Sequence, residues 1–198
     1  MNLHITKDEI NRLPMKRYEG PIHLIQTPED AAAAVIELNK ETLLGFDTET
    51  RPSFRVGEHY LPALLQLATD KAVFLFQLKQ TGLTQGLCDV LSRPDILKSG
   101  VSLKDDLSEL RKLSSFEPAG FIELSTCAKK AHIKNLGLRG LAALLLDFRI
   151  SKREQVSNWA KKELTESQLY YAATDAWLGR EIYLRMNDLG LIPKSLEP

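Results

Sequence analysis

The sequence predicts a mixed α/β domain, because strand-like segments concentrate early in the chain and helix-like segments late. Residues 42–48 form a short apolar run around a glycine, as expected of a buried central strand. Residues 63–69 and 72–77 are rich in strand-forming residues, and the Asp70-Lys71 pair between them predicts a tight hairpin. The capping-box pattern at residues 165–168 predicts the start of a long helix late in the chain.

The remaining elements are predicted from the positions of proline, glycine and helix-capping residues along the chain. Residues 1–20 are mixed in character and interrupted by proline and glycine, so we expect a lead-in segment without a fold of its own. Thr27 followed by Pro28 offers an N-cap and a proline at the first helical position, which predicts a helix through 31–38. Further predictions are strands at 22–25, 96–101 and 121–124, helices at 82–92 and 103–113, a loop at 50–62, mainly helical sequence after 124, and an end of the last helix at about 188 with Gly190 as its terminator.

Length and charge narrow the class of protein. A chain of 198 residues is expected to form a single domain, which would extend over residues 1–198 and have a substantial core. Lys plus Arg and Asp plus Glu each total 26, so the formal net charge is zero. Because proteins that coat duplex nucleic acid are usually basic, this balance argues against such a role. An enzyme that grips one strand end remains compatible with it, since bound cations offset carboxylates locally.

Cysteine content and hydropathy indicate the compartment. Cys88 and Cys127 lack a C-x-x-C spacing, so we expect no zinc site and a reduced, cytoplasmic setting. The N-terminus shows no long apolar stretch after a basic start, which argues against a signal peptide. The longest apolar segment, at 141–146, is too short to span a bilayer, so no membrane association is expected.

Three acidic clusters in a fixed order are the most informative pattern in the chain. They are Asp47 with Glu49, Asp105 with Asp106, and Tyr171 with Asp175. Residues two apart on a strand point the same way, and residues four apart on a helix share a face. Such pairs can aim oxygen ligands at one point, which hard divalent cations require. The pattern therefore predicts metal-assisted phosphoryl chemistry.

Each cluster also has a simpler interpretation. Asp47 and Glu49 repel each other and are costly to bury without a cation, but both would be solvated if the strand had already ended. Ligands in α/β folds often lie just beyond the carboxyl ends of strands, which favours a site here. Tyr171 and Asp175 lie one helical turn apart and would equally form a simple surface hydrogen bond.

The middle cluster has a helix-dipole explanation, since acids are common in the first turn of a helix. Asp105 and Asp106 point in different directions around this helix, so only one of them can lie next to its buried side. Leu103, Leu107 and Leu110 mark the buried stripe, which leaves Asp106 beside that stripe. We therefore expect Asp106 rather than Asp105 to face a site at the edge of the sheet.

These residues resemble the motifs of a known family. Residues 46–50 resemble the first motif of the DEDD superfamily of 3′→5′ exonucleases, and residues 103–107 resemble the second. Residues 158–159 and 171–176 resemble the third motif in its tyrosine-containing form, which is found in the ribonuclease D-like subgroup. Gln66-Leu67-Ala68 in the predicted hairpin completes the likeness. All the motifs occur in the family's order.

The resemblance implies a ribonuclease-H-like fold, in which helices cover both sides of a mixed sheet of about five strands. The catalytic core would extend over about 42–186. The resemblance also implies two divalent cations, Mg²⁺ or Mn²⁺. Two such ions can stabilise both the entering and the departing oxygen of an in-line displacement.

The roles of individual residues follow from the same resemblance. Asp47 would bridge both ions, and Glu49 and Asp175 would complete the first ion site. Asp106 would support the second ion, through water. Tyr171 would orient the attacking water, because a phenol with a pKa of about 10 is a poor base at neutral pH.

The resulting hypothesis is a stand-alone metal-dependent exonuclease that hydrolyses the terminal phosphodiester at a nucleic-acid 3′ end, of DNA or RNA. It would act on single-stranded or frayed ends and release nucleoside 5′-monophosphates. Thr48 and Thr50 are expected to contact the substrate, and Phe54 would stack on a terminal base. The alternatives are a non-catalytic nucleic-acid-binding module of the same fold and an enzyme that cleaves internally.

Overall fold

A mixed sheet forms the centre of the computed structural model, which describes residues 3–55 and 57–193. Within these residues the sheet has six strands in the order β1-β4-β3-β2-β5-β6. Pairing is antiparallel between β2 and β3 and between β3 and β4, and parallel elsewhere. The strands are β1 Ile22–Ile25, β2 Leu43–Thr50, β3 Pro62–Ala68, β4 Val73–Gln77, β5 Leu97–Gly100 and β6 Phe121–Glu123.

Helices cover both sides of this sheet. They are α1 Lys7–Arg12, α2 Pro28–Leu38, α3 Leu78–Thr81, α4 Gln85–Ser92, α5 Leu103–Leu113, α6 Leu124–Lys130, α7 Leu138–Leu146 and α8 Glu166–Asp188. One core cluster joins α2, α4 and α5 to the face of β2 that carries Leu44 and Phe46. The opposite face packs against α8, whose far side packs on α7. No helix in the described parts of the chain combines the length and hydrophobicity needed to cross a membrane.

Small residues let α8 lie very close to the central strand. A Cβ atom built on Gly45 would lie 1.9 Å from the carbonyl oxygen of Ala176, and one on Gly179 would lie 2.5 Å from the carbonyl oxygen of Ser99. The side of α8 that faces the sheet here consists of alanines, namely Ala172, Ala173 and Ala176, all fully buried. We call these three residues the alanine face. This close approach places the polar side chains of α8 beside the end of β2.

Most of the predicted elements are present. The hairpin joins β3 to β4, α5 has the predicted bounds, and α8 begins after a capping box in which the Thr165 side chain accepts from the backbone of Gln168. Gly190 has a φ of 65° immediately after the last helical turn, as a terminating glycine should. The resemblance implied about five strands, and the structure has six because β1 adds a parallel edge strand to β4.

Residues 1–20 are predicted to be a lead-in without a fold of their own, and the part of this segment that the structure describes contains one short helix. Helix α1 lies there and begins with a capping box between Thr6 and Glu9. The segment is also tied to the domain, since the backbone of Tyr18 donates to the Thr174 hydroxyl on α8 at 3.0 Å. The T-x-x-E pattern at its start was a readable helix signal.

Candidate active site

Three carboxylates from two elements meet at the end of β2. Asp47 and Glu49 lie on the strand and point toward α8, and Asp175 on α8 points back toward them. One carboxylate oxygen of each residue lies within 4.8 Å of those of the other two. Strand β2 extends to Thr50, two residues further than predicted, so Asp47 and Glu49 belong to the paired sheet. The interpretation of this pair as solvated loop residues is therefore wrong.

The three acids line a cavity of about 230 Å³. Tyr171, one turn before Asp175 on α8, lines the same cavity. The other residues that line the cavity come from β2, from the end of β5, from the start of α7 and from the segment before α8. They are Phe46, Thr48, Gly100, Val101, Leu138 and Gln155. The first and third sequence clusters thus form one site, as predicted.

Burial dominates the electrostatics of these carboxylates. It raises the pKa of Asp47 well above its ordinary value, and the nearby charges of Asp175 and Asp106 raise this pKa further. Burial and the charge of Asp47 likewise raise the pKa of Glu49. Burial also raises the pKa of Asp175, although the Tyr171 hydroxyl limits that increase. Each acid is held in a place where its ionised form is costly without a cation.

The donor set fits a divalent cation. Three carboxylate oxygens converge, and hard cations such as Mg²⁺ and Mn²⁺ take oxygen ligands. The Oδ1 atom of Asp175 is buried and finds no hydrogen-bond partner within the described residues. A cation at this point would supply the missing interaction and stabilise the ionised carboxylates.

Asp106 reaches the site from the other side of the sheet. It lies in the first turn of α5, and its Oδ1 accepts a hydrogen bond of 2.5 Å from the Thr48 hydroxyl on β2. Burial raises the pKa of Asp106 to about 6, and the Thr48 hydrogen bond opposes that increase. Asp105 is exposed, so of the two neighbouring acids it is Asp106 that faces the sheet, as the helical phase predicts. The oxygens of Asp106 lie outside the three-carboxylate cluster, and its support of a second ion stays a prediction.

Tyr171 lies beside the Asp175 carboxylate. Burial, followed by the charges of Asp175 and Glu49, raises the pKa of its phenol above the ordinary value. The ring packs against Trp159, with ring centroids 5.9 Å apart, and Trp159 is 1% exposed. Tyr171 is therefore a protonated hydrogen-bond donor at neutral pH, held in place by an aromatic neighbour.

The three predicted substrate contacts occupy different environments. Thr48 is buried, and its hydroxyl is used by Asp106. Thr50 is half-buried at the end of β2, where the register with β3 shifts. Phe54 is 82% exposed in the loop that follows, so its ring is accessible for stacking. Their contact with a substrate stays a prediction.

A groove of about 890 Å³ continues from the site, and the sequence reasoning missed it. It shares Tyr171 and Asp175 with the active-site cavity. Its other lining residues come from the N-terminal segment, the segment before α8 and α8 itself, and are Met15, Lys16, Arg17, Glu19, Ser151, Arg153, Glu154, Glu166, Ser167, Tyr170 and Thr174. The paired basic residues at 16–17 and 152–153 are a sequence signal for such a groove, although the first pair lies in the segment predicted to be a lead-in.

Comparison with known proteins agrees with this geometry. A family model described as 3′-5′ exonuclease matches residues 22–190. The chain is 31% identical over 161 residues to the mouse bifunctional 3′-5′ exonuclease/ATP-dependent helicase WRN. That alignment covers 78% of this chain and 12% of the mouse protein, so the chain spans a small part of this relative.

Solved structures share the fold. The EXO domain of Aedes aegypti Nibbler superposes with a TM-score of 0.79 at 24% identity, covering 91% of this chain and 97% of that one. A Trypanosoma brucei ribonuclease D solved with RNA U12 gives a TM-score of 0.72 at 21% identity, covering 85% of this chain and 62% of that one. The converging acids, the family match over most of the chain and the shared fold lead to one conclusion: the chain belongs to the 3′-5′ exonuclease family, within the DEDD superfamily.

Proposed function

We propose that this protein is a metal-dependent 3′→5′ exonuclease that hydrolyses the terminal phosphodiester of single-stranded or frayed nucleic-acid ends. The products would be nucleoside 5′-monophosphates. The observation that carries the proposal is the convergence of Asp47, Glu49 and Asp175 within 4.8 Å, with Tyr171 lining the same cavity. The family supplies the reaction class, and the intact acid set supports activity over a binding-only role.

Divalent cations, Mg²⁺ or Mn²⁺, would supply charge stabilisation for the entering and departing oxygens of an in-line displacement. Asp47, Glu49 and Asp175 would hold them, with Asp106 contributing from α5. Because Asp106 accepts from Thr48, its carboxylate is already oriented before any ligand arrives.

Tyr171 acts in this proposal as a hydrogen-bond donor. Its raised pKa keeps the phenol protonated, so it cannot serve as the base at neutral pH. The hydroxyl lies beside Asp175 and lines the cavity, where it can orient the attacking water. Packing on Trp159 restricts the ring and so the position of that hydroxyl.

The groove is the proposed path of the substrate strand. Lys16, Arg17 and Arg153 line it and can pair with phosphates, as basic side chains do along nucleic-acid paths. The Arg17 guanidinium lies 3.7 Å from the centroid of the Tyr170 ring, which fixes its direction. Acidic residues also line the groove, so the contact would be local, in keeping with the zero net charge.

The site and its surroundings are proposed to form a single domain that acts in the cytoplasm. Both cysteines of the chain are buried free thiols, which is compatible with a reducing compartment.

The test is digestion of matched 5′-labelled RNA and single-stranded DNA with Mg²⁺ or Mn²⁺. We expect a ladder of products that shorten one nucleotide at a time from the 3′ end, and no cleavage of a circular single strand. Asp47→Asn and Asp175→Asn should each lower the rate by at least about 100-fold, because losing even an outer hydrogen-bond partner of a metal ligand costs roughly 10–100-fold. Asp105→Asn, an exposed neighbour of Asp106, is the matched control and should keep the wild-type rate.

Different outcomes would contradict different parts of the proposal. Undiminished shortening by Asp47→Asn would remove the three-carboxylate cluster from the reaction. Large internal fragments, or cleavage of the circular strand, would indicate an internal nuclease. Binding of oligonucleotides without shortening in either metal would indicate the non-catalytic module.

A further inference from the structure

A buried glutamine beside the metal cluster has no evident use in the fold. Gln66 on β3 is 0% exposed, yet neither its Nε2 nor its Oε1 has a hydrogen-bond partner among residues 3–55 and 57–193. Burying an amide without hydrogen bonds is costly, and such groups are rare in native structures. An orphaned amide in the centre of a sheet therefore calls for a functional explanation.

The sheet register places this amide next to Asp47. Gln66 pairs directly with Asp47 on β2 and with Leu75 on β4. Directly opposed residues share a face, with Cβ atoms about 4.5–5.5 Å apart. The neighbours of Gln66 along the same face of β3 are Leu64 and Ala68, and both are apolar and fully buried.

The covering helix is apolar where it packs against the neighbours of Gln66 on β3. The alanine face of α8 packs over this part of the sheet, in the same cluster as Leu64 and Ala68. The Asp47 carboxylate is therefore the polar group that lies beside Gln66 in the sheet. Asp175, the other ligand facing this interior, has an orphaned Oδ1 of its own within the described structure.

We propose that Gln66 is a positioning residue for the metal centre, whose Nε2–H donates to the Asp47 carboxylate when a divalent cation is bound. Residues that hydrogen-bond a metal-ligating carboxylate fix its orientation and are needed for tight binding. The inference rests on the proposed function, because it assigns Asp47 to a metal. It explains why an amide rather than an aliphatic side chain stands opposite Asp47 in an otherwise apolar layer.

The decisive variant is Gln66→Met, which keeps the length of the side chain and removes both polar atoms. If the amide were only a packing element, the substitution would leave metal affinity unchanged. Under the proposal, calorimetric titration with Mn²⁺ or Mg²⁺ should show affinity lowered roughly 10–100-fold. The urea midpoint of the metal-free protein should stay unchanged or increase, since removing an unsatisfied buried amide is neutral or stabilising.

Leu75→Met is the matched control, because Leu75 flanks Gln66 on the side away from Asp47 and the swap conserves volume. It should leave metal affinity as in the wild type. A second measurement avoids dependence on any variant. In wild-type protein labelled with ¹⁵N-glutamine, the Gln66 side-chain amide resonance should shift on saturation with Mg²⁺.

The outcomes separate the two proposals. Wild-type metal affinity in Gln66→Met, or an unmoved Gln66 resonance at saturating Mg²⁺, would overturn the role of Gln66 and leave the proposed nuclease standing. A wild-type protein that neither binds divalent ions nor shortens oligonucleotides would overturn the proposed function, and the role of Gln66 with it.

Discussion

Asp47 is the residue on which the chemistry of this protein concentrates. Its half-buried side chain lies beside Glu49 and Asp175, and the pKa values of all three acids are raised. An arrangement of this kind lowers the stability of the metal-free protein, since the charged forms are neither solvated nor paired. Such strained electrostatics are typical of sites in which a ligand supplies the compensation.

At the same scale, Tyr171→Phe removes one hydroxyl and leaves the packing on Trp159 intact. We expect kcat to fall roughly 100-fold, in line with the loss of one aligned hydrogen-bond donor from an active site. Metal affinity should fall less, by no more than about 10-fold, because the hydroxyl is not a member of the carboxylate set but does hydrogen-bond Asp175. Single-turnover kinetics measure the rate, and calorimetry measures the metal affinity. An unchanged kcat would remove Tyr171 from the catalytic set.

Thr48→Val tests how Asp106 is held. The Thr48 hydroxyl donates to Asp106 and lowers the pKa of that carboxyl, which burial raises to about 6. Valine has nearly the same shape as threonine but lacks the hydroxyl. Because the hydrogen bond is lost, the pKa of Asp106 in the metal-free protein should increase. A ¹³C carboxyl titration measures this directly. An unchanged or lower pKa would show that the Thr48 hydrogen bond does not stabilise the ionised Asp106 carboxylate.

At the scale of elements, the site depends on how closely α8 approaches β2. The glycines and the alanine face bring the two backbones together, and this contact sets the distance between Asp47 and Asp175. Local sequence signals were enough to predict α5 and α8, because capping and periodicity act within a few residues. The distance between elements is set by side-chain volumes on two remote segments.

Gly45→Ala tests this contact. Its new Cβ would lie 1.9 Å from the Ala176 carbonyl oxygen, a backbone atom that cannot move alone. We expect a loss in the free energy of unfolding of about 1–3 kcal/mol or more, as for overpacked cores, together with weaker metal binding. Urea unfolding measures the loss. Gly137→Ser is the control, because a side chain there meets nothing within 4 Å in the described structure and serine suits an N-cap. Equal stability of the two variants would contradict the close contact.

At the scale of the whole molecule, the buried acids link stability to pH. Their folded-state pKa values lie above the unfolded values of about 4. Between those limits the native protein binds more protons than the unfolded chain, so the free energy of unfolding falls as pH rises. Lys98, whose pKa is lowered to about 8, acts in the opposite sense, but only above that pH.

We therefore expect the metal-free protein to be less stable at about pH 8 than at about pH 5. Saturating Mg²⁺ should restore stability at the higher pH, because it binds the ionised acids of the native state alone. Urea unfolding in chelator and in Mg²⁺ at both pH values is the measurement, with Asp47→Asn expected to show a shallower dependence. If the free energy of unfolding in chelator increased with pH, the pKa values of these acids would not be raised in the folded protein.

Local patterns in the chain were sufficient to predict most elements, the acid set and its likeness to the exonuclease superfamily. Strand alternation, capping boxes and motif order are properties of neighbouring residues, so they can be read without knowing the fold. The predictions did not include helix α1, which follows the capping box at Thr6, or the groove that Lys16 and Arg17 help to form.

Packing between distant segments settled the rest. It buried Lys98, whose Nζ donates to the carbonyls of Val90, Arg93 and Ile96, although lysine ordinarily marks a surface. It also joined Asp106 to Thr48 across 58 residues, and set the unpaired amide of Gln66 opposite Asp47. Burial, hydrogen-bond partners and pKa values depend on which remote groups come together in space, and no local pattern of residues encodes those distances.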